Sequence, residues 1–373
     1  MMQEKMFSDA YMASIDKIQR NSRSMGVSFP QVALGEPPRY NNERVSYWTS
    51  GFWGGLLWLA HRETREQRLF ELACEIEEKL DEALNEFVNL HHDVGFMWLP
   101  TAVQHYRMTG NERSRIRGLR AASILASRFN LQGRFIRSWN NTLEDDRSGV
   151  VIVDSMMNIP LLFWAGKVEK DPRYGQIACA HADTVMKNFV RENGTVAHRM
   201  QFDAVTGGCL GAGLSQGKGP DSAWARGQAW AIYGFAAAYR ESGREEYLQT
   251  AERIAFRFYS HLPEDKVPYW DFDASEEEKD ARDSSAACIA ASGMLEIAAV
   301  TKEKEKAKQF RAMADDLLEH LIDKYVCWDD SSQGIVQMGT VNYTKGVHIN
   351  VPIIYGDFYF VEALGKRTGG LSC

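Results

Sequence analysis

The sequence has little that would suit a nucleic acid or a membrane as a partner. Its 43 Lys and Arg residues are outnumbered by 50 Asp and Glu residues, which gives a formal net charge of -7. Basic residues form no stripe that could follow a phosphate backbone, so we expect no nucleic-acid partner. No apolar run reaches the roughly eighteen residues that a membrane-spanning helix needs. The start, MMQEKMFSDAYMASIDKIQRN, contains no apolar signal-peptide core. We therefore expect a cytoplasmic protein, or a periplasmic one if a leader has been removed.

Cysteine is scarce and is not spaced for a metal site or a disulfide framework. The six cysteines lie far apart, at Cys74, Cys179, Cys209, Cys288, Cys327 and Cys373. We interpret most of them as reduced residues of the core. The chain also lacks low-complexity segments and linkers, so we expect one domain over residues 1–373.

Six segments are apolar on nearly every side and rich in aromatic, glycine and alanine residues. A helix of this composition is normally buried. The segments are YWTSGFWGGLLWLA, GFMWLPTAVQHYRM, DSMMNIPLLFWAG, WARGQAWAIYGFAAAY, DSSAACIAASGMLEIAA and YGDFYFVEALGK.

Six further segments are amphipathic and alternate with the apolar ones. In residues 67–87, the apolar residues Leu69, Leu72, Ile76 and Leu80 recur at the spacing of one helix face. Residues 4–22, 114–129, 173–190, 246–262 and 305–325 follow the same pattern. Helical hairpins that repeat every ~50–70 residues cannot bury their apolar faces alone. We therefore predict an all-α protein, an (α/α)6 barrel with the apolar helices inside.

Strand-like stretches are few. GRFIRSW, GTVAHRMQFD and QGIVQMG have the composition of short strands. We expect them to form hairpins or loops at one end of the barrel.

Two aspartates stand at the start of apolar segments, where loops would line one rim of the barrel. Asp93 precedes VGFMWLP, and Asp154 lies between VVIV and SMMNIPLLFW. A carboxylate in such surroundings is costly to bury unless it is paired or protonated, and a protonated one can act as a general acid. For each aspartate alone, a helix N-cap is the commoner explanation. Two carboxylates facing one cavity, however, would suit the acid and the base or nucleophile of a glycoside hydrolase.

Other polar residues at segment starts are candidates for the same rim: Asp283, Arg226, Gln228 and Trp48. His91 and His92 suggest a metal, but adjacent side chains point in different directions, and no Glu or Cys ligand set follows at metal-type spacing. We predict no metal and no cofactor, and we expect a structural or supporting role for both histidines.

Six longer motifs also stand in a fixed order along the chain. They are WTSGFWGGLLWLA, NLHHDVGFMWL, VVIVDSMMNIPLLFWAG, WARGQAWAIYGFA, VPYWDFDA and RDSSAACIAASGMLEIA. Together they resemble the unsaturated glucuronyl hydrolases of glycoside hydrolase family 88. The resemblance implies an (α/α)6 barrel, in agreement with the helix count. It also implies an oligosaccharide substrate whose non-reducing end is a 4,5-unsaturated uronic acid, the sugar that polysaccharide lyases leave behind. The implied reaction is hydration of the double bond between carbon 4 and carbon 5.

The resemblance assigns roles to individual residues. Asp154 would protonate carbon 4 and then activate the water that attacks carbon 5, with Asp93 as its partner. His198, Gln216 and Arg226 would place the sugar and its carboxylate, since a guanidinium can bind a carboxylate with two parallel bonds.

Aromatic residues would complete the implied binding site. Trp48 would lie in the sugar subsite, together with Trp139 and Trp230, although aromatic residues also simply fill barrels. The resemblance weakens after residue 328, where Lys345 and His348 are candidates to face the second sugar.

Three alternatives remain open from the sequence. An unsaturated rhamnogalacturonyl hydrolase shares the fold and the double-bond chemistry but takes pectin fragments, and the HHD and RGQAW contexts favour the glucuronyl branch. A sugar isomerase or epimerase on the same barrel would need an opposed pair of histidines. A non-catalytic carbohydrate-binding barrel would have no need of two carboxylates in one pocket.

Overall fold

The computed structural model describes residues 2–371, and in this range it contains thirteen α-helices and seven short strands. Six helices form the outer ring: α1 (Met2–Met25), α3 (Gln67–Glu86), α6 (Glu112–Ser127), α8 (Pro172–Phe189), α10 (Glu245–Ser260) and α12 (Lys304–Lys324). The inner ring consists of α2 (Phe52–Thr64), α4 (Val94–Trp98) continued by α5 (Gln104–Thr109), α7 (Pro160–Glu169), α9 (Ala225–Ser242), α11 (Ser284–Val300) and α13 (Ile354–Arg367). All twelve predicted helical segments are present, and the predicted (α/α)6 barrel is confirmed.

Burial separates the two rings as their compositions predict. Every residue of α9 from Ala225 to Tyr239 is buried. In α3, by contrast, burial follows one face, which carries Leu69, Leu72, Ile76 and Leu80. Small residues let the inner helices approach closely: a Cβ on Gly293 of α11 would lie 3.0 Å from the backbone of Tyr233 on α9. The inner ring is therefore rich in glycine and alanine because its helices pack on all sides.

Two inner segments are less regular than the sequence indicates. The predicted helix over 95–108 is interrupted by a π-helical turn, Leu99–Val103, which contains Pro100. Proline has no backbone N–H and disturbs the helical ladder, and such turns often lie near functional sites. The segment around Asp154 forms a 3-10 helix, Val153–Met157, and α7 begins only at Pro160.

The strands form small antiparallel sheets. β1 (Ala33–Leu34) pairs with β2 (Arg39–Tyr40), β3 (Phe129–Asn130) pairs with β4 (Phe135–Ile136), and β6 (Arg199–Phe202) pairs with both β5 (Val150–Ile152) and β7 (Cys209–Gly213). Strands thus occur in two of the three predicted stretches. The third, QGIVQMG, forms only isolated bridges. The reason is that the amides of Ile335 and Val336 each donate to the carboxylate of Asp357, both at 2.8 Å.

The three-stranded sheet ends at the rim where the inner helices begin. β5 runs directly into the 3-10 helix that carries Asp154, and the amide of Val153 donates to the carbonyl of His198 at 3.0 Å. The sheet therefore fixes the backbone of two predicted site residues relative to each other, and the predicted placement of strands at one end of the barrel is confirmed.

Two expectations from composition concern the whole chain. Among residues 2–371, no helix combines the length and the apolar character that crossing a membrane requires. The five cysteines in this range are free thiols, as predicted, but only Cys288 is fully buried, and Cys209 is exposed. Cys373 lies outside the described residues. The interpretation of the cysteines as core residues is thus right for Cys288 and wrong for Cys209.

Candidate active site

The predicted site residues come together because all six inner helices begin at the same end of the barrel. Asp93 directly precedes α4, Asp283 directly precedes α11, and Arg226 lies in the first turn of α9. Asp154 lies in the 3-10 helix before α7, and Trp48 stands before α2. Residues far apart in sequence therefore share one rim.

Asp93 is a buried carboxylate that does not cap its helix. It occupies the N-cap position of α4, but its side chain makes no capping hydrogen bond. Its Oδ1 atom instead accepts from Nδ2 of Asn158 at 3.0 Å and lies 3.3 Å from Nε2 of His92. Its Oδ2 atom lies 3.5 Å from Nδ1 of His91. Burial, and then the negative charge of Asp154, raise the pKa of Asp93 well above its usual range.

Asp154 is the second buried carboxylate, and the N-cap explanation is wrong for it. It lies inside the 3-10 helix, whose N-cap position belongs to Ile152. Its Oδ2 atom lies 3.4 Å from Nε2 of His198, and within the described residues neither atom has a hydrogen-bond partner. Nδ1 of His198 accepts from the amide of Gln216 at 3.2 Å, which leaves Nε2 as the donor of the ring. That donor meets no acceptor among the described residues, and the ring is stacked 4.0 Å from Trp224.

Asn158 links the carboxylate of Asp93 to the backbone of Asp154, and sequence reasoning missed it. Its Nδ2 atom donates to Oδ1 of Asp93 at 3.0 Å and to the carbonyl of Asp154 at 3.1 Å, while its Oδ1 atom accepts from the amide of Phe96 at 3.0 Å. Gly95 makes room for it, because a Cβ there would lie 2.5 Å from Oδ1 of Asn158. The signal was an amide residue within VDSMMN, four residues after Asp154.

His181 supports the Asp154 turn from the outer ring. Its Nδ1 atom accepts from the amide of Ile136 at 3.0 Å, and its Nε2 atom lies 2.7 Å from Oγ of Ser155, which donates to the carbonyl of Ile152 at 2.7 Å. Burial lowers the pKa of His181 to about 3, so the ring stays neutral. A single neutral tautomer can satisfy this chain of bonds, and the turn is therefore held without adding charge.

Arg226 forms the centre of a second network on the rim. Its Nη1 atom donates to Oδ2 of Asp283 and to the carbonyl of Thr340 (2.7 Å). Its Nη2 atom donates to Oε1 of Gln216 at 2.9 Å and to the carbonyl of Val341 at 2.8 Å. All four N–H groups of the two terminal nitrogens are thus engaged by protein acceptors. Burial opposes the charge of Arg226, but the carboxylate of Asp283, together with other acidic groups nearby, outweighs it and raises the pKa.

Gln228 lies apart from this network. Its Oε1 atom accepts from the amide of Val196 at 2.7 Å, and its Nε2 atom donates to the carbonyl of the same residue at 2.8 Å. It therefore has a structural role under the sheet, and not the role at the rim that its place in WARGQAW suggested.

Comparisons with known proteins agree with this geometry. The sequence profile of Glycosyl Hydrolase Family 88 matches residues 17–362. The chain belongs to glycoside hydrolase family 88. It is 36% identical to the unsaturated glucuronyl hydrolase of Bacillus sp. (strain GL1), over 95% of this chain and 94% of the relative. It is 32% identical to the unsaturated chondroitin disaccharide hydrolase of Streptococcus agalactiae serotype III (strain NEM316), over 85% of this chain and 80% of the relative.

Solved structures confirm the fold of this family 88 chain. The crystal structure of unsaturated glucuronyl hydrolase from Bacillus sp. GL1 superimposes with a TM-score of 0.92 at 34% identity and covers 96% of both chains. The family, the fold and the reaction class predicted from the motifs are therefore confirmed: the protein is a glycosidase that hydrolyses oligosaccharides carrying an unsaturated uronic acid.

The three predicted tryptophans differ in what they can contact. Trp48 is half-buried on the rim and packs 5.0 Å from Tyr355, which leaves part of its surface open. Trp139 is also half-buried, with the guanidinium of Arg147 5.9 Å from its ring centre. Trp230 has no exposed surface and packs 5.0 Å from Phe96 in the core. The prediction that Trp230 lies in a sugar subsite is wrong, because the ring lies beneath the site and not in it.

One group of family 88 rim residues could supply metal ligands. His91, His92 and Asp93 each offer one ligand atom, and these three atoms lie within 4.8 Å of one another. Burial lowers the pKa of His91 to about 4 and holds that of His92 well below its usual range, so both rings stay neutral. Neutral imidazole and carboxylate are zinc ligands, but the same contacts also suit two histidines that orient Asp93. That no metal is required therefore stays a prediction.

Proposed function

We propose that this chain hydrolyses the unsaturated uronyl disaccharides that lyases release from glycosaminoglycans, with Asp154 and Asp93 as the catalytic pair. One observation carries the proposal: the amide of Asn158 holds the Asp93 carboxylate against the backbone of Asp154, and the Oδ2 atom of Asp154 lies near Nε2 of His198 with no protein hydrogen-bond partner. Buried polar atoms are nearly always hydrogen-bonded, so an unpartnered pair at the rim is suited to a substrate or water.

The reaction needs a proton at carbon 4 and then a hydroxyl at carbon 5. The raised pKa of Asp93 favours its protonated form, and we assign the transferred proton to this pair of carboxyl groups. Asp154 delivers it, since Oδ1 of Asp93 is held by Asn158 whereas Oδ2 of Asp154 is unpartnered. Protonation of carbon 4 leaves positive charge at carbon 5 and the ring oxygen. The Asp154 carboxylate then takes a proton from the water that attacks carbon 5.

The product of hydration decomposes without further help. The hydroxyl at carbon 5 makes a hemiketal, which opens to a ketone and returns the ring oxygen to carbon 1 as a hydroxyl. Carbon 1 is then a hemiacetal of the remaining saccharide, and its collapse to an aldehyde releases that saccharide. The enzyme therefore has to catalyse only the addition of water across the double bond.

Three neighbours position the sugar in this proposal. His198 offers the sugar its Nε2 donor, which has no protein partner. Gln216 has its Oε1 atom bound by Arg226, which orients its amide N–H groups toward the cleft. Arg226 acts through Gln216 and the loop at Thr340, because its terminal nitrogens already donate to four protein acceptors. Direct bidentate binding of the uronate by Arg226 would require breaking two of these bonds.

Aromatic and loop residues complete the proposed binding site. Trp48 and Trp139 offer ring faces to the two sugars. The loop that follows Val341 carries Lys345, which is exposed, and His348, which is half-buried. Since Arg226 binds the base of this loop, we place Lys345 and His348 beside the second sugar.

A panel of lyase-generated disaccharides tests the function. Chondroitin, hyaluronan, heparin, gellan and pectin products all carry a conjugated double bond that absorbs ultraviolet light, and hydration removes the absorbance. We expect loss of absorbance with at least one uronyl disaccharide of the glycosaminoglycan set. Consumption of pectin products alone would support the rhamnogalacturonyl branch. A positive epimerase assay with no loss of absorbance would refute the proposal.

Asp154→Asn tests the mechanism. It retains the shape but has no transferable proton, so turnover should fall by the roughly 10²–10⁴-fold that a general acid contributes, while substrate binding survives. Asp171→Asn is the matched control, because Asp171 is a true N-cap whose side chain accepts from the amide of Arg173. The control should retain full turnover. A folded Asp154→Asn variant with near-normal turnover would rule out Asp154 as the acid.

We also propose a cytoplasmic location. The described cysteines are free thiols and one, Cys209, is exposed, which fits a reducing compartment. Fractionation of the producing cell tests this, and activity found only in a periplasmic extract would contradict it.

A further inference from the structure

A second cavity lies at the end of the barrel opposite the catalytic pair. It has a volume of 770 Å³ and is lined by residues from all six inner helices, and most of its charged residues lie at their C-terminal ends. That volume falls in the usual range for a small-molecule site. Its charged lining residues are six basic ones (Arg62, Arg65, Arg107, Lys167, Arg240 and Lys366) and three acidic ones (Glu241, Glu296 and Glu362). The cavity therefore has a net side-chain charge of three positive units.

The acidic residues are already neutralised by part of this basic set. Glu296 pairs with Arg240 and with Lys366, the latter at 2.9 Å. Glu241 pairs with Lys167 at 2.5 Å and with Arg240 at 3.1 Å. Glu362 accepts from the hydroxyl groups of Tyr233 and Ser292 and lies 3.7 Å from Lys366. No carboxylate of the lining is left over for the remaining arginines.

Three arginines line the other side of the cavity without such partners. Arg62 and Arg65 stand at the C-terminal end of α2, and Arg107 lies in α5 on the neighbouring inner helix. Among residues 2–371, none of the three side chains makes a hydrogen bond or an ion pair. Arg107 is reached by solvent but has protein on most sides: burial, and then the positive charge of Arg240, lower its pKa. The negative charge of Glu241 opposes this effect in part, so Arg107 lies within electrostatic range of both residues.

Basic residues at helix C-termini have an ordinary explanation, which covers these three only in part. Lys and Arg often donate to the last carbonyl groups of a helix and offset its dipole. Arg62 and Arg107 stand in last turns, where the dipole favours their charge. Arg62, Arg65 and Arg107 donate to no carbonyl of the described chain, however, so capping hydrogen bonds leave their guanidinium donors unaccounted for.

The floor of the cavity is apolar and separates it from the catalytic end. Phe52, Phe96, Phe358 and Tyr359 line it and pack against one another, with Phe52 5.4 Å from Phe358 and 5.7 Å from Phe96. Trp230 closes the layer 5.0 Å from Phe96. We propose that this cavity binds a small organic polyanion, with two or three carboxylate, sulfate or phosphate groups on Arg62, Arg65 and Arg107 and its carbon skeleton over the aromatic floor.

Calorimetric titration of the full chain with citrate tests the proposal, and inorganic pyrophosphate serves as a probe without a carbon skeleton. We expect saturable binding of citrate that weakens as sodium chloride is added. Arg62→Gln with Arg107→Gln should weaken binding at least about tenfold, since two charge-assisted contacts are lost. Arg113→Gln with Arg253→Gln is the matched control, because it removes two exposed arginines outside the cavity, and affinity should be unchanged.

The readouts separate this site from the catalytic one. Citrate binding should persist in the Asp154→Asn variant when its catalytic site is saturated with an unsaturated disaccharide, and the Arg62→Gln, Arg107→Gln variant should retain disaccharide turnover. An equal loss of affinity in the control variant would mean diffuse charge attraction and would overturn the proposal. The proposal would also be overturned if neither citrate nor pyrophosphate bound at concentrations up to about 10 mM. In that case, a lower unfolding midpoint in the cavity variant would show that the arginines stabilise the C-terminal ends of the helices instead of binding a ligand.

Discussion

Replacement of Asn158 by alanine should damage stability and catalysis together. The side chain makes three buried hydrogen bonds: to the Asp93 carboxylate, to the Asp154 carbonyl and from the Phe96 amide. Its loss leaves the Phe96 amide without a partner and removes one hydrogen bond each from the Asp93 carboxylate and the Asp154 carbonyl. An unsatisfied buried group costs about 1–3 kcal/mol and a lost hydrogen bond about 0.5–1.5 kcal/mol, so Asn158→Ala should lower the free energy of unfolding by about 2–6 kcal/mol. Urea unfolding measures this.

Asn158→Ala should also lower turnover and shift its pH dependence, because Asn158 both positions Asp93 and lowers its pKa. Without the shared amide, the two aspartates are no longer fixed relative to each other, and a displacement near 1 Å can cost roughly 100-fold in turnover. The hydrogen bond from Asn158 also lowers the pKa of Asp93 against the effect of burial. Its removal should raise that pKa further, so the pair holds its proton to higher pH. The alkaline limb of the turnover profile should therefore move to higher pH.

Two further variants make the reasoning refutable. Asn158→Asp retains an acceptor for Phe96 but replaces the amide donor with a third buried carboxyl group beside Asp93, so it should be no more stable than Asn158→Ala and should move the alkaline limb further. Asn188→Ala removes an outer-helix amide that donates to the Thr184 carbonyl at 2.8 Å, and it should cost less than about 1 kcal/mol. If Asn158→Ala matches Asn188→Ala in stability and leaves the pH profile unmoved, Asn158 does not hold Asp93 against the Asp154 segment.

Three further predictions concern the metal, pH and the rim network. Prolonged treatment with a chelator should leave turnover unchanged, whereas loss that zinc alone restores would assign His91, His92 and Asp93 to a metal. Burial raises the pKa of Asp357 from 3.8 to about 6, so its share of stability, roughly 3 kcal/mol, is complete below pH ~4 and is lost as pH rises through about 6. Urea midpoints of the parent and of Asp357→Asn, compared between pH 4 and 7, check this, and parallel curves would contradict it. Arg226→Lys should raise KM more than it lowers kcat, because lysine keeps the charge beside Asp283 but cannot also hold Gln216 and both loop carbonyls. A large fall in kcat at constant KM would place Arg226 in the chemistry instead.

Periodicity and composition were sufficient to predict the architecture. Helices buried on all sides, such as α9, cannot be stable at a surface, and amphipathic ones, such as α3, need an apolar surface to cover. Twelve alternating segments of these two kinds leave few arrangements other than a closed double ring. The sequence order of six motifs was enough to predict the family, and it identified both aspartates.

The contacts of those aspartates depended on the tertiary structure. Asp93 and Asp154 each had the sequence context of an N-cap, and only the coordinates show that neither side chain caps a helix. Asn158, His181 and the carbonyl partners of Arg226 come from segments up to 115 residues away, and no local pattern encodes such pairings. Trp230 is of a residue type that often stacks against sugars, but it lies in the core. Sequence periodicity reports which face of a helix is buried, whereas the depth of a residue and its partners are decided by how six separate helices meet.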